Sequence, residues 1–299
     1  MKTILVFALT FLPWVASATL KVVTSTTDLE SLVHSVGQDK VEVSSIAKGT
    51  QDAHQIEAKP SFMIRLRSAD LVVSQGLELE TAWLGALAVG ARNPKILPGS
   101  SGFLELGAQL DPIEIPKGDV TRSQGDVHPG GNPHFQLDPI RMGQAALILA
   151  DKLSDMDPTN KSFYVQQAKN FQTHLQEKTK VWDARIKKTG LKEIVTYHKT
   201  FGYFLNRFGV NSVIELEPKP GIPPTASHLL DVIDIIKKRN IKLVLIENYY
   251  DTSASEKLQQ EIPGLLVLRV PVSVGGEAHV NSTEELIEQI VASFEKVKK

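Results

Sequence analysis

The sequence predicts an α/β protein of two lobes, each built on a parallel sheet and joined by one long helix. Two observations carry that prediction. Short β-branched segments alternate with amphipathic helical segments on both sides of residue 157, an order that favours a parallel sheet covered by helices. Between the two alternating halves runs one unbroken helical stripe, long enough to belong to both.

In the first half, residues 20–26 form a short strand ending in hydroxyls, and residues 28–36 follow as a helix. Residues 41–47 alternate as a second strand and deliver the chain to a loop carrying His54. Lys59-Pro60-Ser61 opens a helix running to Ala69, because proline is tolerated in a first turn. Residues 71–74 are strand again, with a helix expected over 78–88. Residues 117–133 are rich in glycine, proline and polar side chains, so they read as a loop; it ends in His134, and a helix begins near Pro139.

Asp157-Pro158 supplies an N-cap and a first helical position for a run to about Lys188. Tyr164, Ala168, Phe171, Leu175, Trp182 and Ile186 recur at helical spacing along it. At 1.5 Å per residue such a helix is roughly 45 Å long, enough to bridge two lobes. Beyond it come strand 193–197, strand 212–216, the turn-rich 217–224, helix 227–239, strand 243–246 ending at Glu247, helix 253–260, strand 265–270 and helix 283–296. The expected division is a leader at 1–18, an N-terminal lobe at 19–157, a linking helix at 158–189 and a C-terminal lobe at 190–299.

Lys2, the apolar run from Ile4 to Trp14 and the small-x-small Ala16-Ser17-Ala18 read as a cleavable secretory signal. That run is too short to span a bilayer, and no later stretch reaches the roughly 20 apolar residues a membrane helix needs. Export to the periplasm without a membrane anchor is the expectation. Cysteine is absent, which excludes disulfides, thiolate ligands and a lipid-modified N-terminal cysteine. The formal net charge of -1, one unit more negative once Lys2 leaves, gives no electrostatic case for nucleic acid or an anionic membrane.

Three histidines stand out: His54 in Asp52-Ala53-His54-Gln55, His134 in Asn132-Pro133-His134-Phe135, and His198 in Thr196-Tyr197-His198-Lys199. In open α/β sheets, binding groups gather at the carboxyl ends of strands. His54, His198 and the carboxylate of Glu247 each sit just past a strand, and His134 closes a loop before a helix. Neutral imidazole is the commonest side-chain ligand for zinc, and three leave one tetrahedral position for a carboxylate or water. With two of the four residues in each half, one metal ion fits the cleft between lobes. His34, His174 and His228 fall inside helices and read as ordinary helix residues, while His128 reads as an exposed loop histidine with a possible secondary hold on metal. The prolines of 218–224 read as a device that rigidifies one loop.

At these residues the chain resembles the zinc- and manganese-binding solute receptors of bacterial ABC importers, the ZnuA/TroA-like cluster A-I substrate-binding proteins. The motifs are Asp52-Ala53-His54 followed by Lys59-Pro60-Ser61, Asn132-Pro133-His134-Phe135-Gln136-Leu137-Asp138-Pro139, and His198-Lys199-Thr200-Phe201-Gly202-Tyr203-Phe204. The resemblance implies two Rossmann-like lobes on one rigid helix, small lobe movements, a metal between the lobes and delivery to an ABC transporter membrane permease. It carries His54, His134 and His198 over as ligands. Many relatives place an aspartate after the strand matching 265–270, where this chain has Pro271-Val272-Ser273-Val274-Gly275-Gly276. Glu247 is the substitute proposed for it, with water, Glu277 or His279 as fallbacks.

Capture of a divalent transition metal is therefore expected, with Zn²⁺ ahead of Mn²⁺ because manganese prefers more carboxylate oxygen. A monomer without enzymatic activity is expected. The rivals are a secreted zinc-dependent hydrolase, for which no His-Glu-x-x-His or Gly-x-Ser-x-Gly motif is present, and a receptor for an organic metal chelate with an aromatic-lined cleft.

Overall fold

The computed structural model describes residues 19–297, so the expected leader lies outside the described residues. Eight strands form two four-stranded sheets, and every pairing is parallel. The first sheet contains β1 (Leu20–Thr24), β2 (Val41–Ser45), β3 (Leu71–Ser74) and β4 (Phe103–Glu105) in the order β2-β1-β3-β4. The second contains β5 (Glu193–Thr196), β6 (Asn211–Glu215), β7 (Leu243–Glu247) and β8 (Leu266–Val270) in the equivalent order β6-β5-β7-β8. Each sheet thus has a switch point, between β1 and β3 in one and between β5 and β7 in the other, where loops diverge and leave a crevice.

The helices α1 (Thr27–Gly37), α2 (Pro60–Arg67), α3 (Leu84–Gly90), α4 (Pro139–Met156), α5 (Lys161–Thr189), α6 (Gly202–Phe208), α7 (Ala226–Arg239), α8 (Ser253–Glu261) and α9 (Thr283–Glu295) cover the sheets. α5 is the bridging helix. Its buried stripe is Tyr164, Ala168, Leu175, Trp182 and Ile186, with Phe171 partly buried beside them. The left-handed Gly190 ends it at φ 78°, a conformation a side chain resists, and Lys187 and Lys188 complement the negative end of its dipole. α5 packs on α1 and α4 from the first lobe and on α9 from the second.

That packing makes the interior one body. A single apolar cluster runs from Val22, Leu32 and Leu71 of the first lobe through Leu149 and Trp182 to Leu245 and Phe294 of the second. The outer face of each sheet has its own smaller core, around Trp83 and Leu87 in one lobe and Val232 and Ile236 in the other. Polar ties cross between lobes as well. Asp28 accepts from the Val274 N–H at 2.9 Å, the Thr27 hydroxyl donates to the Val274 carbonyl at 2.6 Å, and the Asn132 amide donates to the Lys199 carbonyl at 2.9 Å. The segment that carries an aspartate in many relatives is here a cross-lobe fastening. Asp138 binds both lobes too: it caps α4 through the Ile140 N–H, and Arg207 of α6 grips its carboxylate with two bonds of 2.9 and 2.8 Å.

Three segments differ from the sequence expectation. The helix expected over 78–88 starts at Leu84, because the backbone N–H groups of Gln75 and Gly76 donate to the buried Glu80 carboxylate at 2.7 and 3.1 Å. That grip holds the chain in tight turns, with Leu77 and Glu78 at positive φ. β4 is only three residues long and sits in a glycine- and serine-rich stretch that hides its pattern. α6 is two turns long, too short for periodicity to mark it.

Two outcomes follow from this packing. Asp138→Ala strands Arg207 and Arg141 around a lost buried partner and lowers unfolding free energy by about 3 kcal/mol in urea titrations. Burial pushes the Asp28 carboxyl up to about 6, against the opposing Val274 hydrogen bond. The folded state therefore holds this proton more tightly than the unfolded chain. Its stabilising contribution is full below about pH 4 and is lost as pH rises through about 6. Asp28→Asn removes that dependence, so its stability relative to the unaltered chain rises by about 2 kcal/mol between pH 4 and pH 8. Equal pH dependence in the two proteins overturns this account.

Candidate metal centre

His54 is presented by a turn after β2 that Asp52 organises. One oxygen, Oδ1, accepts from the His54 backbone N–H at 3.0 Å and lies 2.7 Å from the ring Nδ1. The Trp83 indole donates to the Ala53 carbonyl at 2.9 Å, pinning the turn to the outer core of the first lobe. Hydrogen bonds from His54 outweigh the opposing effect of burial and hold Asp52 below the usual carboxylate range. An ionised Asp52 places the ring proton on Nδ1 and leaves Nε2 as a lone pair.

His134 is held by its backbone. Its N–H donates to Asn132 Oδ1 at 2.9 Å, the Gln75 amide donates to the Pro133 carbonyl at 3.0 Å, and the Tyr203 hydroxyl donates to the Asn132 carbonyl at 2.8 Å. His134 is 5% exposed, and its Nε2 has no hydrogen-bond partner. A buried ring nitrogen without a partner is costly unless something else satisfies it. Burial, then the neighbouring imidazoles, holds this ring well below its ordinary pKa and therefore neutral.

His198 follows β5 directly. Its Nδ1 lies 2.7 Å from Glu217 Oε2, which also accepts from the Gly221 N–H at 3.0 Å. The turn-rich 217–224 segment thus does more than rigidify a loop: it folds back on Glu217 and aims it at His198. As at His54, the carboxylate puts the proton on Nδ1 and frees Nε2.

Each of the three histidines offers one ring nitrogen to a common point, and these nitrogens lie within 4.8 Å of one another. Their ring centroids are 5.2 to 5.6 Å apart, with the rings edge-on to each other. Zn–N bonds are about 2.0–2.1 Å, so modest closure of these nitrogens about one ion meets the requirement. The all-nitrogen inner donors and the orphaned His134 Nε2 fit a divalent transition metal of zinc type.

Glu247 ends β7, is fully buried, and has no hydrogen-bond partner on either oxygen. Burial pushes its carboxyl up to about 8, with the charges of Glu217 and Asp52 adding to the effect. It is not among the groups whose donor atoms converge within 4.8 Å. His279 is paired with Glu277 at 3.5 Å, apart from that cluster. His174 pairs with Glu284, and His228 contacts the Glu215 carbonyl, both as helix residues with structural partners.

Sequence reasoning missed Asp52 and Glu217 as orienting carboxylates. Glu217 follows β6 just as Glu247 ends β7, so strand-end placement was a usable signal for it; Asp52, two residues before His54, had the spacing of a turn in which an aspartate bonds its own backbone. It also read His128 as an exposed loop histidine, whereas this ring is part-buried, with Nε2 3.2 Å from His54 Nε2. Beside the cluster opens a cavity of about 280 Å³, with Asp52, Asp126, Glu217 and Asp251 among its lining residues.

Comparison with known proteins agrees with this arrangement. The High-affinity zinc uptake system protein ZnuA of Bacillus subtilis is 24% identical over 246 residues, covering 81% of this chain and 75% of that protein. The Manganese ABC transporter substrate-binding lipoprotein PsaA of Streptococcus mitis is 24% identical over 249 residues, covering 81% and 76%. A crystal structure of a ZnuA deletion mutant with zinc bound superposes with a TM-score of 0.77 at 20% identity, over 94% of this chain and 98% of that one, a match of fold. The sequence family described as zinc-uptake complex component A, periplasmic, matches residues 22–297. A two-lobed α/β frame with converging imidazoles, matched by that family over almost the whole described chain, makes this protein a member of the ZnuA family of periplasmic zinc-uptake components.

Proposed function

We propose that this protein is the substrate-binding component of an ABC metal importer: it captures Zn²⁺ between its lobes in the periplasm and hands it to a membrane permease. The observation that carries the reading is the convergence of His54, His134 and His198, drawn from both lobes, with His134 Nε2 buried and unpaired. In this reading those three are ligands, and Glu247, buried at the end of β7, is the carboxylate proposed for the fourth position. Asp52 and Glu217 orient two of the imidazoles. Residues 1–18 act as the cleaved export signal, and no helix among the described residues is long and apolar enough to cross a membrane.

Zinc is favoured over manganese because the converging donors are nitrogens. A hydrolytic role finds no support in the relatives, which are named as uptake and substrate-binding proteins. The chelate-receptor reading has one feature in its favour, since Tyr197, Tyr249 and Tyr250 line the adjoining cavity. Tyr197 and Tyr250 stack on each other at 4.1 Å, however, so those faces are already engaged. Tight binding of the bare ion separates the two readings.

Purified without a chelator or affinity tag, the protein binds one Zn²⁺ per chain, read by metal analysis and calorimetry. His134→Ala weakens binding on the order of a hundredfold or more while circular dichroism stays unchanged. Unaltered stoichiometry and affinity in that variant overturn the assignment. Glu217→Gln keeps the fold and the three imidazoles but loses the charged partner of His198. Its affinity drops by about 10- to 100-fold in competition with a chromophoric chelator, and an unchanged value removes Glu217 from the site.

A further inference from the structure

We infer that His128 is a direct metal ligand and, as a fourth imidazole, takes the position proposed above for Glu247. This inference rests on the metal-binding reading given above. Its Nε2 stands 3.2 Å from His54 Nε2, with the two ring centroids 5.3 Å apart. Two nitrogens on one tetrahedral zinc, each about 2.0–2.1 Å from the metal, are about 3.3 Å from each other. The observed separation matches that spacing, as it also matches an N–H···N hydrogen bond in the absence of an ion.

The chemistry of His54 sharpens the point. Its Nδ1 faces the Asp52 carboxylate at 2.7 Å, so its proton sits there and its Nε2 presents a lone pair to His128. Two Nε2 atoms 3.2 Å apart are bridged either by one ring's N–H or by a cation. His128 Nε2 adjoins His54 but stands outside the three nitrogens that lie within 4.8 Å of one another, so its ligation requires the loop to move inward on the ion.

His128 is held where it is by contacts across the lobes. The loop 117–133 leaves the first lobe and lies on the 217–224 turn of the second. There the Asp126 N–H donates to the Pro220 carbonyl at 2.9 Å, and the Lys219 ammonium donates to the Ser123 carbonyl at 2.7 Å. Gly125 permits this approach: at φ 82° a Cβ there would stand 2.2 Å from the Pro220 carbonyl oxygen. The same turn aims Glu217 at His198, so one C-terminal segment positions both a ligand's partner and the loop that carries His128.

The test uses the mature chain with Zn²⁺ alone, and Co²⁺ as a spectroscopic substitute. X-ray absorption at the zinc edge counts four imidazoles in the unaltered protein and three in His128→Ala. The Co²⁺ form shows intense tetrahedral visible bands, which shift in position and intensity in the variant. His128→Ala still binds one Zn²⁺ but at least tenfold more weakly, and its zinc dissociates faster. One Zn²⁺ bound through three imidazoles in the unaltered protein, with a carboxylate or water as fourth ligand and no loss of affinity in His128→Ala, overturns the His128 assignment and leaves the receptor reading standing. Failure of the unaltered protein to bind Zn²⁺ at all overturns both.

Discussion

Asp138 is the residue through which the two lobes hold His134 and His198 in register. Its carboxylate is fully buried, and it receives the Ile140 N–H at the start of α4, two bonds from Arg207 in α6 and one from Arg141. Four residues upstream lies His134; α6 begins four residues after His198. One buried anion therefore fixes the relative positions of two ligands on different lobes. A buried ion pair is an expensive way to gain stability, because desolvation cancels much of the attraction. What it supplies here is position: the bidentate guanidinium grip tolerates little rotation of α6 against α4.

The shared core extends that constraint to the whole molecule. With α5 packed on α1, α4 and α9, and a continuous apolar cluster reaching from Val22 to Phe294, wide hinge opening would expose interior surface along the full length of the linking helix. Movement is left to elements outside the shared core. Loop 117–133 and turn 217–224 are of that kind, since they meet through a few polar contacts at the mouth of the cleft. Ion entry and release then become a matter of loop displacement over a fixed pair of sheets.

Much of this was legible in the sequence because the relevant signals are periodic. The alternation of strands and helices, the α5 stripe from Tyr164 to Ile186 and the strand-end positions of His54 and His198 all follow from spacing along the chain. What escaped depends on contacts between distant residues. No local pattern brings Glu217 to His198, nor says that Glu80 will collect the amides of Gln75 and Gly76 and delay α3. His128 escaped for the same reason: its surroundings are glycine, proline and polar residues, and its contact with His54, distant in sequence, has no local signature.

The charges around the cluster bear on which ion it suits. Imidazole carries no negative charge to offset a divalent cation, and a carboxylate stands behind each of two of the histidines, Asp52 behind His54 and Glu217 behind His198. With His128 in the fourth position, Asp52 and Glu217 would stand behind the ligands and leave the coordination positions to nitrogen. Burial pushes the Glu247 carboxyl up, which disfavours its charged form in the metal-free protein. Negative charge is thus kept one bond removed from the metal while nitrogen keeps the inner layer. A borderline-soft ion such as Zn²⁺ gains from that division, whereas Mn²⁺ loses the oxygen contacts it prefers and keeps only the distant electrostatic attraction.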